Sequence, residues 1–117
     1  MLANGVTLGS RGREELLDYA VLAEEEGLES IWVGEAWGMA SVPMHTRILE
    51  RTETIDVCYG IFNIYARTPG MTAMTANSLA EIGDGRFRVG LGTSGPAVIE
   101  NFHGVEFERP LRRTREY

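Results

Sequence analysis

The chain contains no lysine, a single cysteine and no long apolar run, and each shortage removes a class of protein. With only Cys58 present no intrachain disulfide can form, and a reducing compartment is the simplest home. No stretch approaches the roughly 20 apolar residues of a membrane span. The first residues, Met1-Leu2-Ala3-Asn4-Gly5, have neither a basic nor an apolar targeting region, so the expectation is a cytoplasmic protein without a membrane partner. Positive charge is also scarce. Eleven basic residues, all arginine, face 17 acidic ones for a net charge of -6, which argues against a phosphate-binding surface and hence against a nucleic-acid partner. The densest basic segment, Arg109, Arg112, Arg113 and Arg115, is interleaved with Glu106, Glu108 and Glu116 and reads as a mixed-sign, solvated helix. His45 and His103 lack metal-like spacing and read as structural.

What is present is the balance of a folded protein. Hydrophobic residues make up 44% and charged residues 24% of 117 positions, enough for one packed domain over residues 1–117 and too few residues for two. The pattern alternates strand-like and helix-like segments, as in a parallel sheet with crossover helices. Residues 6–8 form a first strand. A helix over 13–26 with Leu16, Ala20 and Ala23 on one face ends at Gly27. Residues 30–34 form a buried strand, and Ser41 is placed to cap a helix carrying Met44 and Ile48. Residues 55–64 form a third strand, after which Thr68 and Pro69 supply an N-cap and first-turn proline for a helix over 69–82. That helix spaces Met71, Met74, Ser78, Leu79 and Ile82 helically, with the methionines read as core filler rather than a ligand box. Asp84-Gly85 turns into a fourth strand ending in Gly92-Thr93-Ser94-Gly95, and Pro96 opens a short helix. The count is about four βα units, half of an eight-unit barrel. Val6, Ile31, Val57 and Val89, or their alternating neighbours, would face the interior of that barrel.

Gly90-Leu91-Gly92-Thr93-Ser94-Gly95 matches the G-x-G-x-x-G dinucleotide fingerprint. In a Rossmann fold the fingerprint follows the first strand, whereas here it follows the fourth. The alternative is a tight turn at a barrel rim whose backbone N–H groups face a cofactor.

Taken together, several segments resemble the luciferase-like monooxygenase superfamily, and within it the branch that uses the deazaflavin coenzyme F420. They are Ile31-Trp32-Val33-Gly34-Glu35-Ala36-Trp37-Gly38, Ala66-Arg67-Thr68-Pro69-Gly70-Met71-Thr72-Ala73-Met74-Thr75-Ala76, Asp84-Gly85-Arg86-Phe87 with Gly90 to Pro96, and Phe102-His103-Gly104-Val105-Glu106-Phe107. The resemblance implies the amino-terminal half of a (β/α)₈ TIM barrel, with coenzyme F420 or alternatively FMN at the carboxyl ends of the strands. It implies a bulge with a non-prolyl cis peptide at Gly60–Ile61 against the ring; taken without the family, Gly60 is an ordinary strand glycine. Asn63 is placed to bond the ring edge, and Gly92, Thr93 and Ser94 to present backbone donors. Glu35 sits where the family places an acid near the substrate, its plainer role being to cap nearby backbone. Trp37 is either packing or a substrate wall, and Cys58 a buried inert thiol. The implied activity is hydride transfer to a small organic or pterin-type substrate. The segment Arg113 to Tyr117 corresponds to the point where family members enter the helix after strand four. The expectation is therefore a chain inactive alone, partnered by a second copy in a homodimer of half-barrels or by a complementary carboxyl-terminal half. The rivals are a non-catalytic cofactor-holding or assembly module and a gene fragment.

Overall fold

A computed structural model describes residues 4–8, 12–36 and 38–117, with the backbone alone for residues 6–8. Its elements run β1 (Gly5–Leu8), α1 (Arg13–Glu25), β2 (Ser30–Val33), α2 (Val42–Arg51), β3 (Asp56–Asn63), α3 (Pro69–Ile82) and β4 (Phe87–Gly92), followed by a π-helical turn (Ala97–Phe102) and α4 (Pro110–Glu116). The four strands form one sheet in the order β1-β2-β3-β4, each pair parallel. Sequential order with a helix in each crossover is a barrel arrangement. It departs from the Rossmann order, in which the chain reverses direction across the sheet after its third strand, so the dinucleotide reading of Gly90–Gly95 is set aside.

Local chemistry explains the element ends. Gly27 stops α1 with φ +74°, a conformation costly to side chains with a Cβ, while the Leu28 amide bonds back to the Ala23 carbonyl. Thr68 caps α3 by accepting the Met71 amide, with Pro69 in the first turn. Ser41 begins α2, yet its hydroxyl makes no cap bond and is buried without a partner among the described residues. Its backbone is already helical at φ −89° and ψ −9°, not extended as an N-cap requires, while the Glu35 carboxylate in the preceding loop accepts its amide.

The core lies between the sheet and α1–α3. Leu16, Leu17, Ala20 and Ala23 of α1, Met44, Ile48 and Leu49 of α2, and Leu79 of α3 pack on Ile31, Val33, Val57, Tyr59, Phe62 and Phe87. Ile31 and Val57 therefore face the helices, not the barrel interior; their alternating neighbours Trp32 and Cys58 lie on the opposite face. The side chain of Val6 lies outside the described residues, and Val89 follows Phe87 on the helix side by alternation. Full burial of each aliphatic side chain here contributes about 1.5–3 kcal/mol. The methionines of α3 depart from expectation. Met71 and Met74 are 51% and 66% exposed, because α3 turns Leu79 and Thr72 inward and among the described residues no helix covers its far side.

Two polar clasps lie at the amino-terminal end of the strands. Glu24 Oε1 accepts the amides of Glu53, Thr54 and Ile55 at 2.6–2.9 Å and the Thr54 hydroxyl at 3.0 Å. The Arg86 guanidinium donates to Thr52 Oγ1 and to the carbonyls of Ile55, Leu49 and Thr52, so it closes the carboxyl end of α2 onto the start of β4. At the opposite end the last segment folds onto the β3–α3 loop. Ile64, Tyr65 and Ile99 form a second small core, the Tyr65 hydroxyl donates to the Glu108 carbonyl at 2.7 Å, and Tyr117 Oη reaches Thr72 and the carbonyls of Arg67 and Thr68. Helix α4 is exposed, as the mixed charges suggest, with Arg112 paired to Glu116; its Arg113 turns back to the Ile64 carbonyl and over the Tyr65 ring.

Candidate functional site

Toward the carboxyl ends of the strands the open face of the sheet is built from small residues and two large apolar ones, with the Arg88–Asp56 ion pair nearer the amino ends. In β3 the peptide Gly60–Ile61 is cis, and the register with β4 slips between Tyr59 and Phe62. The slip returns Phe62 to the helix side while Ile61 joins the open face. Glycine is required there by close approach: a Cβ on Gly90 would stand 2.2 Å from the Tyr59 carbonyl oxygen, and one on Gly92 2.9 Å from Ile61 side-chain atoms. Across the bulge a Cβ on Gly60 would meet the Trp32 ring at 3.0 Å. Trp32, Gly60, Ile61 and Gly92 thus form a continuous row over three strands, with the Trp32 indole donating to Ser30 Oγ. Gly34 abuts the same bulge, since its Cβ would lie 2.8 Å from the Gly60 oxygen.

Beyond the carboxyl ends of β2 and β3 a cleft of about 480 Å³ is lined by Glu35, Ala66, Arg67, Thr68, Met71 and His103. Glu35 Oε1 accepts the Ser41 amide at 3.0 Å, and Oε2 lies 3.9 Å from Arg67 Nε. The Arg67 guanidinium also sits 4.9 Å over the Phe62 ring, so its position is held from two sides. Behind Glu35 the Tyr59 and Ser41 hydroxyls are buried close to one another, neither within hydrogen-bonding geometry of a partner among the described residues. Burial pushes the Tyr59 phenol well above its ordinary range; the Ser41 hydroxyl opposes this and the Glu35 charge adds to it.

The expected site residues fall into four places. Gly60, Ile61 and Gly92 meet on the open face. Asn63, paired in register with Gly92, is buried and its Oδ1 accepts the Tyr65 amide at 2.9 Å, leaving the amide nitrogen as its remaining donor end. Thr93 and Ser94 follow β4, with the Thr93 hydroxyl on the Ser94 carbonyl and Ser94 at φ +55°. Glu35 belongs to the cleft and also performs the plainer role of capping backbone. Trp37 lies outside the described residues. Cys58 is buried, its thiol pushed up to about 11 by burial and by Asp56 against the pull of Arg88. Arg67 and His103 were not singled out as site residues from sequence, though both sit inside the recognised segments; a lone histidine carries no spacing signal. Among the described residues no group of three or more His, Cys, Asp or Glu could hold a metal, and no helix is long and apolar enough to cross a membrane.

Residues 2–117 match the family model of the luciferase-like monooxygenases. A Mycobacterium tuberculosis protein named as a coenzyme F420-dependent oxidoreductase is 35% identical over 116 residues, covering 97% of this chain and 33% of that protein. The 5,10-methylenetetrahydromethanopterin reductase of Methanolobus tindarius is 32% identical over 103 residues, covering 87% of this chain and 31% of the reductase. Among solved structures, the oxygenating constituent of 3,6-diketocamphane monooxygenase from Pseudomonas putida, in complex with FMN, superposes with a TM-score of 0.84 at 17% identity, covering 98% of this chain and 37% of that one. The chain thus spans about a third of the length of the relatives it matches, and its fold corresponds to half of a luciferase-like barrel.

Proposed function

Since the chain belongs to the luciferase-like monooxygenase family, we propose that it is the amino-terminal half-barrel, a single domain, of a cytoplasmic flavin- or deazaflavin-dependent oxidoreductase. Coenzyme F420 is the proposed cofactor, with FMN the alternative, and a small organic or pterin-type molecule the substrate. The observation that carries this reading is the row Trp32, Gly60, Ile61 and Gly92 around the cis peptide, lying beside a cleft that holds Glu35. The donor set fits a planar, largely apolar ring: Trp32 and Ile61 offer an apolar wall, and the glycines keep Cβ atoms out of the space beside it. When bound, the cofactor supplies the hydride chemistry. Trp32 and Ile61 would hold the ring plane and exclude water from it. The amide nitrogen of Asn63 and the backbone donors of Gly92, Thr93 and Ser94 would fix its edge. Glu35 would orient the substrate's polar group or hold a proton for it, with Arg67 keeping the carboxylate at the cleft wall.

A rival reading, a cofactor-holding or assembly module without turnover, is favoured by the engagement of both Glu35 oxygens, one by the Ser41 amide and one facing Arg67. The proposed partner is a second copy or a complementary carboxyl-terminal half that completes the ring of strands and supplies the remaining cofactor contacts. Fluorescence titration of the chain with coenzyme F420 and with FMN tests the proposal. The chain alone should bind weaker than about micromolar, because one half-barrel buries only one side of the ligand. Gly60→Val should weaken binding further by pressing a branched Cβ on Trp32. Micromolar or tighter affinity by the chain alone contradicts the incomplete site, and unchanged affinity in Gly60→Val removes Gly60 from it.

A further inference from the structure

Helix α2 buries a histidine that the cleft does not expose. His45 has 0% exposure, and its ring stacks on Tyr59 with centroids 4.2 Å apart and planes 2° apart, with Phe87 edge-on at 5.7 Å. Nδ1 lies 2.7 Å from the Ser41 carbonyl oxygen and Nε2 3.2 Å from the Cys58 carbonyl oxygen. Both ring nitrogens therefore face acceptors. A neutral imidazole has one N–H, so it donates to one carbonyl and turns a lone pair on the other; only the imidazolium donates to both. The two carbonyls belong to the two halves of the site. Ser41 is the residue whose amide holds Glu35 Oε1, and Cys58 stands two residues before the cis peptide Gly60–Ile61.

We infer that His45 is a positioning residue, the tie through which α2 holds the Glu35 loop and the β3 bulge in one frame. The functional sense of this tie rests on the reading of the bulge as ring face and of Glu35 as substrate carboxylate; the geometry stands without it. The titratable groups facing the ring are Glu35 from the loop after β2 and Tyr59 from β3, with Arg67 acting on the same pocket through Tyr59; Cys58 meets the ring through its backbone carbonyl alone. Burial pushes the His45 imidazole below its ordinary range, opposed by the two carbonyls and by the Glu35 charge. The tie to Ser41 has the shorter contact and takes the single proton of the neutral ring. The tie to Cys58 is completed on the acid side, as the second nitrogen is protonated.

The test is a two-dimensional NMR titration of the whole chain from about pH 4.5 to 8, which spans the histidine range and its acid side. The amides of Gly60 and Ile61 should move together with the His45 ring, with a midpoint below the ordinary histidine value and without loss of fold. His45→Phe, which keeps a ring on Tyr59 but no donor, should abolish that shared titration and shift the Gly60, Ile61 and Ser41 amides at every pH. His45→Gln, which keeps one side-chain donor group, should restore part of the shift and show no titration. A core variant such as Ile48→Val should lower stability without moving those amides selectively. A shared midpoint that persists in His45→Phe overturns the proposal, as does a wild-type ring that titrates with no response at Gly60 and Ile61. A ring that stays neutral across the range overturns it too. If His45→Phe does not fold, the wild-type titration decides alone. No cofactor is added, so failure here leaves the cofactor proposal standing, and absence of cofactor binding leaves the tie standing.

Discussion

On the helix-covered face of the sheet Ile31 and Val57 are fully buried, while one residue further along β2 and on the other face Trp32 is 39% exposed, and at the sheet's last strand Val89 and Leu91 are 44% and 45% exposed. The two regions share strands and differ in what lies over them. Helices α1–α3 come from the same chain as the strands they cover, so that packing over β2 and β3 is complete within the chain. The open face and the outer flank of β4 lack such cover among the described residues, because α4 turns back onto the β3–α3 loop instead of lying along β4. Structure is carried by the first region, whereas the second, with the glycine-lined row and the neighbouring cleft, carries the candidate site. In a barrel, sites lie at the carboxyl ends of the strands and stability residues toward the opposite end, and the Arg86 and Glu24 clasps at the amino-terminal end follow that division.

The largest effect should separate the two faces directly. Ile31→Ala should destabilise the chain by about 3 kcal/mol, the usual cost of emptying a closed core position, and Trp32→Ala by under about 1 kcal/mol since the indole is already in contact with solvent. Urea unfolding of the two variants measures this; equal losses would mean that the open face is as closed as the core. Next in size is a contrast inside Gly90–Gly95. Gly90→Ala forces a methyl onto the Tyr59 carbonyl and should cost about 2 kcal/mol, within the range for overpacking. Gly95→Ala meets nothing within 4 Å and should fall within about 0.5 kcal/mol of wild type. Similar costs at both positions would argue that the segment is one functional loop rather than a packed strand followed by an open turn. The smallest effect concerns pH. Burial raises the Glu24 carboxyl, but the donors of Thr54, Ile55 and Glu53 outweigh it and hold the group below its ordinary value of 4.5. A carboxylate with a depressed folded-state pKa contributes stability that is complete above the unfolded value and is lost as pH falls through the folded one. Glu24→Gln should therefore differ from wild type most above the ordinary carboxylate range and converge with it in acid; a gap that widens toward acid would reverse the sign of the clasp.

Much of the covered region was legible in the sequence because its signals are local. Leu16, Ala20 and Ala23 at helical spacing, Gly27 at a helix stop and Thr68-Pro69 at a helix start each describe a few neighbouring residues, and the structure realises all of them. The cis peptide at Gly60–Ile61 was legible only through the family resemblance, since a strand glycine by itself is ordinary. What escaped depends on contacts distant in sequence. Ser41 has the chemistry of an N-cap, but the loop brings it into the helix with a helical backbone and its hydroxyl caps nothing. The α3 methionines have the spacing of core residues, and which face of that helix is covered depends on neighbours that spacing cannot reveal. The inward and outward sets of the strands differ by one residue, so alternation gives the two sets without saying which one the helices take. Arg67 and His103 meet across the cleft from segments 36 positions apart, and nothing local to either marks the meeting.

If the open face and the flank of β4 are half of a core, the chain in solution should cover them with a second copy. Its first and last strands each leave one edge unpaired within the sheet, and a two-fold arrangement could join β1 of one copy to β4 of the other at two equivalent junctions. Sedimentation equilibrium of the chain across micromolar concentrations measures this most directly. The account predicts a monomer–dimer equilibrium shifted toward dimer, weakened by Leu91→Arg on the β4 flank; a compact monomer at every concentration would contradict it.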